Sequence, residues 1–235
     1  MGEGGPAGAT PLTIIGGYLG AGKTTLVNHL LRSADGLRLA VLVNEFGELP
    51  IDRDLIEGRD GNVISIAGGC VCCSYGNDLV MTLQEMAAGE VRFDHVLLEA
   101  SGVGIPSAIA ATVSLMGAYT LDGVVVVADA ETIEASARDR YMGETVIAQL
   151  AEADLVVLNK LDLVDEAARD RVEGWLGEVA LGARVVTATR AALPPAVVLE
   201  SFLGSERGAG KATTAAPDTF ETITPEVGEP VDPAA

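Results

Sequence analysis

The chain has 235 residues, of which 49% are apolar and only 4% aromatic, and a formal charge of −19. That length can build one large domain with a sizeable core, and a composition dominated by Ala, Val, Leu and Gly suits a parallel α/β sheet covered by helices on both faces. The excess of acid argues against nucleic acid or an anionic membrane as partner, since both are bound through clustered Lys and Arg, and no apolar run approaches the roughly 20 residues that span a bilayer.

The first residues, MGEGGPAGATP, lack the basic segment and apolar run of a signal peptide, and 1–10 read as a flexible leader. Short β-branched runs then alternate with longer helical stretches. Leu12–Ile15, Leu39–Val43, Val63–Ile66, His95–Leu98, Val124–Val127, Leu155–Leu158 and Arg184–Thr187 are predicted strands. Lys23–Arg32, Asp78–Ala88, Ile133–Ala151 and Glu166–Leu176 are predicted crossover helices between them. The expected fold is an α/β three-layer sandwich with a mostly parallel sheet of about seven strands, occupying 11–203. Residues 204–217 are small, polar and patternless and read as a linker. Phe220, Thr222 and Thr224 alternate as in a strand, which either joins the main sheet at its edge or opens a second domain.

Three motifs sit at the ends of predicted strands. Gly17 to Thr24 (GYLGAGKT) fit G-x-x-x-x-G-K-[ST] between a strand and a helix, the context of a P-loop. Gly17, Gly20, Ala21 and Gly22 let successive N–H groups converge on phosphate oxygens at the positive end of the helix. Lys23 would neutralise the β- and γ-phosphates and so serve catalysis, Thr24 would offer its hydroxyl to Mg²⁺, and Thr25 would meet the α-phosphate. Asn159, Lys160 and Asp162 follow a strand as N-K-x-D; an Asp carboxylate accepts from both N1–H and the 2-amino group of guanine, and adenine offers no such pair, so GTP or GDP is expected. In VLLEASG, Glu99 ends a buried strand where it can hold the Mg²⁺ shell or orient the attacking water, and Gly102 can bring an N–H near the γ-phosphate. The other acidic strand end, Asp129, receives no role, and His29 and His95 lie in no ligand spacing and read as structural.

The three cysteines crowd into Cys70, Cys72 and Cys73, which is no spacing for a secreted disulfide framework and points to a reducing, cytoplasmic setting. Thiolates in this pattern suit Zn²⁺, with Co²⁺ and Ni²⁺ as alternatives. Cys70 and Cys73 also form a C-x-x-C pair, so a regulatory, redox-sensing GTPase that delivers no metal is the rival reading. Upstream, Glu45, Glu48 and Asp52 lie on the loop after the second strand, where P-loop proteins carry a γ-phosphate switch.

In order, GYLGAGKTT, NEFGE, GGCVCC, LLEASG and NKLD resemble the nucleotide domain of the CobW-type metallochaperone GTPases, relatives of the urease and hydrogenase accessory GTPases, over roughly Leu12 to Leu203. The resemblance implies slow GTP hydrolysis and delivery of a transition metal to a client metalloenzyme. It assigns the metal to Cys70, Cys72 and Cys73, with Glu45 and Glu48 of the switch beside it, and implies a nucleotide-dependent homodimer. Two departures stand out. Ala100 replaces a residue that usually carries a hydroxyl, and no His-rich stretch follows. The final 218–235 resemble the opening of the family's second domain, so the chain is expected to end a few residues into it.

Overall fold

The computed structural model describes residues 8–33, 36–43, 63–65 and 77–199. Seven strands form one sheet: β1 (Thr10–Gly16), β2 (Leu39–Val43), β3 (Val63–Ser65), β4 (His95–Glu99), β5 (Tyr119–Asp129), β6 (Leu155–Asn159) and β7 (Arg184–Thr187). Their order is β3-β2-β4-β1-β5-β6-β7, and every pairing is parallel. The helices are α1 (Lys23–Ser33), α2 (Asn77–Ala88), α3 (Pro106–Ser114), α4 (Ile133–Ala137), α5 (Gly143–Ala151), α6 (Glu166–Val179) and α7 (Pro195–Leu199).

Strands β2, β4 and β6 are buried at every residue, which is why they read as continuous apolar runs with no alternation. One face carries Leu12, Ile14, Leu98, Val126 and Leu158 against Leu83 of α2, Ile109 of α3, Leu150 of α5 and Leu176 of α6. The other carries Ile15, Leu97, Val125 and Val157 against Leu26, Val27 and Leu30 of α1 and Val198 of α7. The expected three-layer sandwich is the observed one. Because every pairing is parallel, every strand ends at the same edge of the sheet, and the loops after β1, β4, β5 and β6 gather there.

Two local expectations change, and α3 is a helix the sequence pattern did not announce. The helix expected over Ile133–Ala151 is two helices, broken at 138–142. The Asp139 carboxylate accepts from the N–H groups of Tyr141 and Met142 at 2.8 and 3.0 Å, an alternative to helical pairing that short acidic side chains commonly offer, and these bonds lower its pKa. Gly143 then opens α5 where a Cβ would lie 2.5 Å from the Ala137 carbonyl. Helix α3 carries no local cap, since Ile105 makes no side-chain bond to it. Glu152, at the far end of α5, supplies one, accepting from Ser107 N and Ser107 Oγ, both at 2.8 Å. Finally, β1 starts at Thr10, inside the stretch expected as leader, and the register between β1 and β5 shifts so that Asp122 is extra. This bulge turns the Asp122 carboxylate to accept from the Thr13 hydroxyl at 3.2 Å. The segments 204–217 and 218–235 lie outside the described residues.

Candidate functional site

The P-loop leaves β1 at Gly16 and enters α1 at Lys23. Three of its glycines have positive φ: Gly17 (130°), Gly20 (74°) and Gly22 (108°). The cause differs at each. A side chain on Gly17 would run into the Val127 carbonyl of β5, and one on Gly22 would lie 2.5 Å from Asn159 Nδ2, whereas Gly20 faces open space and needs only the dihedral freedom. Lys23 Nζ bends back over the loop and donates to the carbonyls of Gly17 and Tyr18 at 2.9 and 3.3 Å. Ala21 is buried behind the loop, and Thr25 is exposed in the first turn of α1.

Register places Glu99 beside Ile15, at the root of the P-loop. Glu99 is only 5% exposed, and its Oε1 accepts from the Thr24 hydroxyl at 2.8 Å. The two residues that the sequence offers to a divalent ion, 75 positions apart, are therefore in contact. Ala100 continues into the core, its N–H bonded to Ile15 O at 2.9 Å. Gly102 is buried directly against the P-loop: a Cβ there would lie 2.6 Å from Leu19 Cδ2.

On the other side of β1, Asp129 and Asn159 are register partners at the ends of β5 and β6. Asn159 is 2% exposed. Its Nδ2 donates to Ala21 O at 2.9 Å and its Oδ1 accepts from Ala191 N at 2.7 Å. The amide thus ties the P-loop to the loop after β7, and Asn159 is a strut between the walls of the site. Lys160 takes a left-handed conformation (φ 63°), which turns the chain into the short 3₁₀ segment Leu161–Leu163 and leaves Asp162 exposed. Lys160 Nζ lies 2.7 Å from Asp129 Oδ2, and Asp129 Oδ1 accepts from Glu131 N at 2.9 Å.

Asp129 and the 188–193 loop are the parts of the site that sequence reasoning missed. Asp129 was legible as an acid ending a strand, yet its partner Lys160 lies just past the end of the neighbouring strand β6, 31 residues on. The loop gave no signal: Arg190 and Ala191 both have positive φ, at 52° and 53°, where glycine or asparagine would have announced the turn. His29 bonds Leu193 O at 2.8 Å, fastening this loop to α1. His95 bears out its structural reading, its Nε2 2.8 Å from Thr13 Oγ1 and at the opposite end of β4 from Glu99.

Cys70, Cys72, Cys73, Glu45 and Glu48 lie outside the described residues. Among the described residues, no group of three His, Cys, Asp or Glu side chains could hold a metal ion, and no helix is long and apolar enough to cross a membrane.

Residues 11–187 match the CobW/HypB/UreG nucleotide-binding domain family. A zinc chaperone CobW of Sinorhizobium sp is 30% identical over 97% of this chain and 76% of its own length. A zinc chaperone CobW of Pseudomonas aeruginosa is 34% identical over 80% of this chain and 59% of its own. The zinc chaperone YjiA of Escherichia coli is 35% identical over 76% of this chain, so the chain spans little more than half the length of the latter two relatives, 59% and 57%. Among solved structures, the Zn(II)-bound YjiA GTPase from E. coli superposes with a TM-score of 0.58 at 26% identity, covering 76% of this chain and 57% of that one. HypB from Helicobacter pylori, in complex with nickel, shares the fold, with a TM-score of 0.54 at 17% identity and 83% of this chain covered. With a P-loop, a strand-end acid and an N-K-x-D loop converging at one sheet edge and a match over most of its length, the chain belongs to the CobW/HypB/UreG family of P-loop nucleotide-binding domains.

Proposed function

We propose that this protein is a slow GTPase that carries a transition metal at Cys70, Cys72 and Cys73 and delivers it to a client metalloenzyme. The nucleotide half rests on one observation above all, the contact of Thr24 Oγ1 with Glu99 Oε1 beside the P-loop lysine. A hydroxyl and a carboxylate side by side are hard oxygen donors, the set that Mg²⁺ prefers, so the chain's own residues fit the ion that GTP brings. Thr24 and Glu99 would hold Mg²⁺, and the ion when bound would supply positive charge to offset the negative charge on the phosphates.

The remaining steps belong to the chain. Gly17, Gly20 and Gly22 present N–H groups to the phosphates, Ala21 and Thr25 complete the cradle, and the Lys23 ammonium, poised over the loop carbonyls, moves onto the β- and γ-phosphates. Gly102, pressed against Leu19, faces the γ-phosphate. Asn159, whose Nδ2 keeps a second N–H beyond the one given to Ala21 O, reads the base together with Asp162, exposed and able to accept from guanine N1–H and the 2-amino group, and with Lys160, oriented by Asp129. Hydrolysis to GDP and phosphate uses water oriented near Glu99. With no arginine finger or switch glutamine in the sequence, turnover is expected to be slow.

The metal half rests on the G-C-x-C-C pattern and on the relatives named zinc chaperones. Cys70, Cys72 and Cys73, with Glu45 and Glu48 of the switch loop, hold Zn²⁺, or Co²⁺ or Ni²⁺. In this reading 11–203 is the nucleotide domain, 204–217 a linker, and 218–235 the start of a second domain. GTP orders the 44–52 loop and aligns it with the cysteines, nucleotide-dependent pairing of two copies accompanies that ordering, and hydrolysis releases the metal. Titrating Zn²⁺, Co²⁺ and Ni²⁺ into the GDP and non-hydrolysable GTP forms, with Cys72→Ala as control, tests it. Gating requires the two forms to differ in metal affinity, because linkage between sites is reciprocal; equal affinities would sink it.

A further inference from the structure

Helix α5 holds the turn that follows the strand-end acid. The turn Ser101–Gly104 closes with Gly104 N donating to Ser101 O at 2.9 Å. Behind it lies Gln149, 1% exposed, whose Nε2 donates to Gly102 O at 3.2 Å and to Gly104 O at 2.8 Å. Three residues on, one helical step along the same face, Glu152 pins Ser107 through both carboxylate oxygens. In front of the turn stands the P-loop: Leu19, 65% exposed, covers Gly102 so closely that a Cβ would lie 3.0 Å from Leu19 N as well as against its side chain. Gly102 is thus sandwiched between a buried amide and the P-loop, with Ala100 fastened to β1 on one side and Ser107 to α5 on the other.

We infer that Gln149 is a positioning residue for γ-phosphate sensing: its two bonds hold the Ser101–Gly104 turn in the one place where Gly102 meets the P-loop, and so set how strongly the protein prefers GTP to GDP. The inference rests on the proposed binding of GTP. Its physical basis is that a buried amide donating to two loop carbonyls fixes the turn's peptide planes before ligand arrives. Removing the donor leaves Gly102 O and Gly104 O buried without it and frees the turn to rearrange. The α- and β-phosphates are held by the P-loop, and both hydrogen bonds of Gln149 run to the Ser101–Gly104 turn instead, so GDP should not register the loss.

The test compares Gln149→Met, similar in length but lacking the donor, with wild type. Binding of GDP and of a non-hydrolysable GTP analogue is measured with Mg²⁺ present, together with kcat and KM for GTP. The expected result is GDP affinity within about twofold of wild type, analogue affinity lowered roughly tenfold, and kcat lowered by a similar factor, about 1.4 kcal/mol. Equal losses for both nucleotides would show that Gln149 only supports the fold and would overturn the inference, as would no change in either. Wild type that binds neither nucleotide defeats the GTP reading itself, an outcome seen before any variant is made. If Gln149→Met does not fold, Gln149→Asn, which keeps the amide but one methylene short, is judged by the same split between GDP and analogue.

Discussion

A Cβ on Gly22 would lie 2.5 Å from Nδ2 of Asn159, the nitrogen that donates to Ala21 O. The last glycine of the P-loop is therefore required by a side chain 137 positions away as much as by its own dihedral (φ 108°). Gly22→Ala should displace the Asn159 amide and lower both GDP and GTP affinity at least tenfold, with roughly 2–3 kcal/mol lost from stability. Gly20→Ala, whose Cβ meets nothing within 4 Å, should cost only the backbone strain, about 1–2 kcal/mol. Nucleotide titration and thermal unfolding of the pair would check this contrast, and equal effects would refute it.

Asn159→Ala cuts the P-loop from the 188–193 loop and leaves buried Ala191 N without the carbonyl it donates to. We expect about 2–3 kcal/mol of destabilisation and equal weakening of GDP and GTP, because the strut touches no γ-phosphate. Urea unfolding combined with nucleotide titration measures both quantities.

The Lys160–Asp129 pair, 2.7 Å apart, and the neighbouring Asp162 should control the base and leave the phosphates alone. Asp162→Asn replaces an acceptor with a donor where guanine carries its 2-amino group, so guanine binding should fall at least tenfold, more than about 1.4 kcal/mol. Xanthine, with a carbonyl at that position, should gain. Asp129→Asn should weaken all guanine nucleotides by a common factor, roughly five- to tenfold, through the loss of a charge-assisted bond. Competition between GDP and XDP decides the first, and a GTP:GDP ratio that shifts with Asp129→Asn would count against the second.

Thr24→Val and Glu99→Gln both disturb the oxygen pair assigned to Mg²⁺. Each should raise the Mg²⁺ concentration needed for half-maximal hydrolysis and lower kcat by roughly 10²-fold, and chelation of Mg²⁺ should stop turnover in wild type. Variants that hydrolyse GTP with unchanged Mg²⁺ dependence would remove these residues from the ion.

His95 predicts a pH dependence of stability that is independent of nucleotide. Burial lowers its pKa from 6.5 to about 4. The Asp122 carboxylate is 3.8 Å from Nε2 with the Thr13 hydroxyl bonded to both residues, so desolvation outweighs that carboxylate's pull. Above about pH 6.5 the ring is neutral in both states and nothing is lost. As the pH falls below 6.5 the unfolded chain takes up a proton that the folded one refuses, and stability declines until about pH 4, where the folded ring protonates too. Between pH 7 and 4.5 this amounts to about 2–3 kcal/mol. Denaturant unfolding at both values should show wild type losing that much more than His95→Gln; parallel losses would mean the ring does not titrate as stated.

The sequence by itself determined the strands, the P-loop and the N-K-x-D loop, because each is a local pattern: seven apolar runs of strand length, a glycine and lysine spacing between a strand and a helix, and an N-K-x-D run that starts where an apolar strand ends. It failed where the cause lay far along the chain. Helix α3 went unseen because its cap is Glu152 and not a neighbour, and the break between α4 and α5 was hidden in a periodic stretch that Asp139 and Gly143 interrupt by hydrogen bonding and close approach. Only the tertiary structure decided that Asn159 is a strut, that Asp129 orients Lys160, and that Gln149 backs the turn beside Leu19. Parallel crossovers carry the ends of β1, β4, β5 and β6 to one edge, and polar groups separated by 31 to 138 residues meet there; one-dimensional spacing has no access to such contacts.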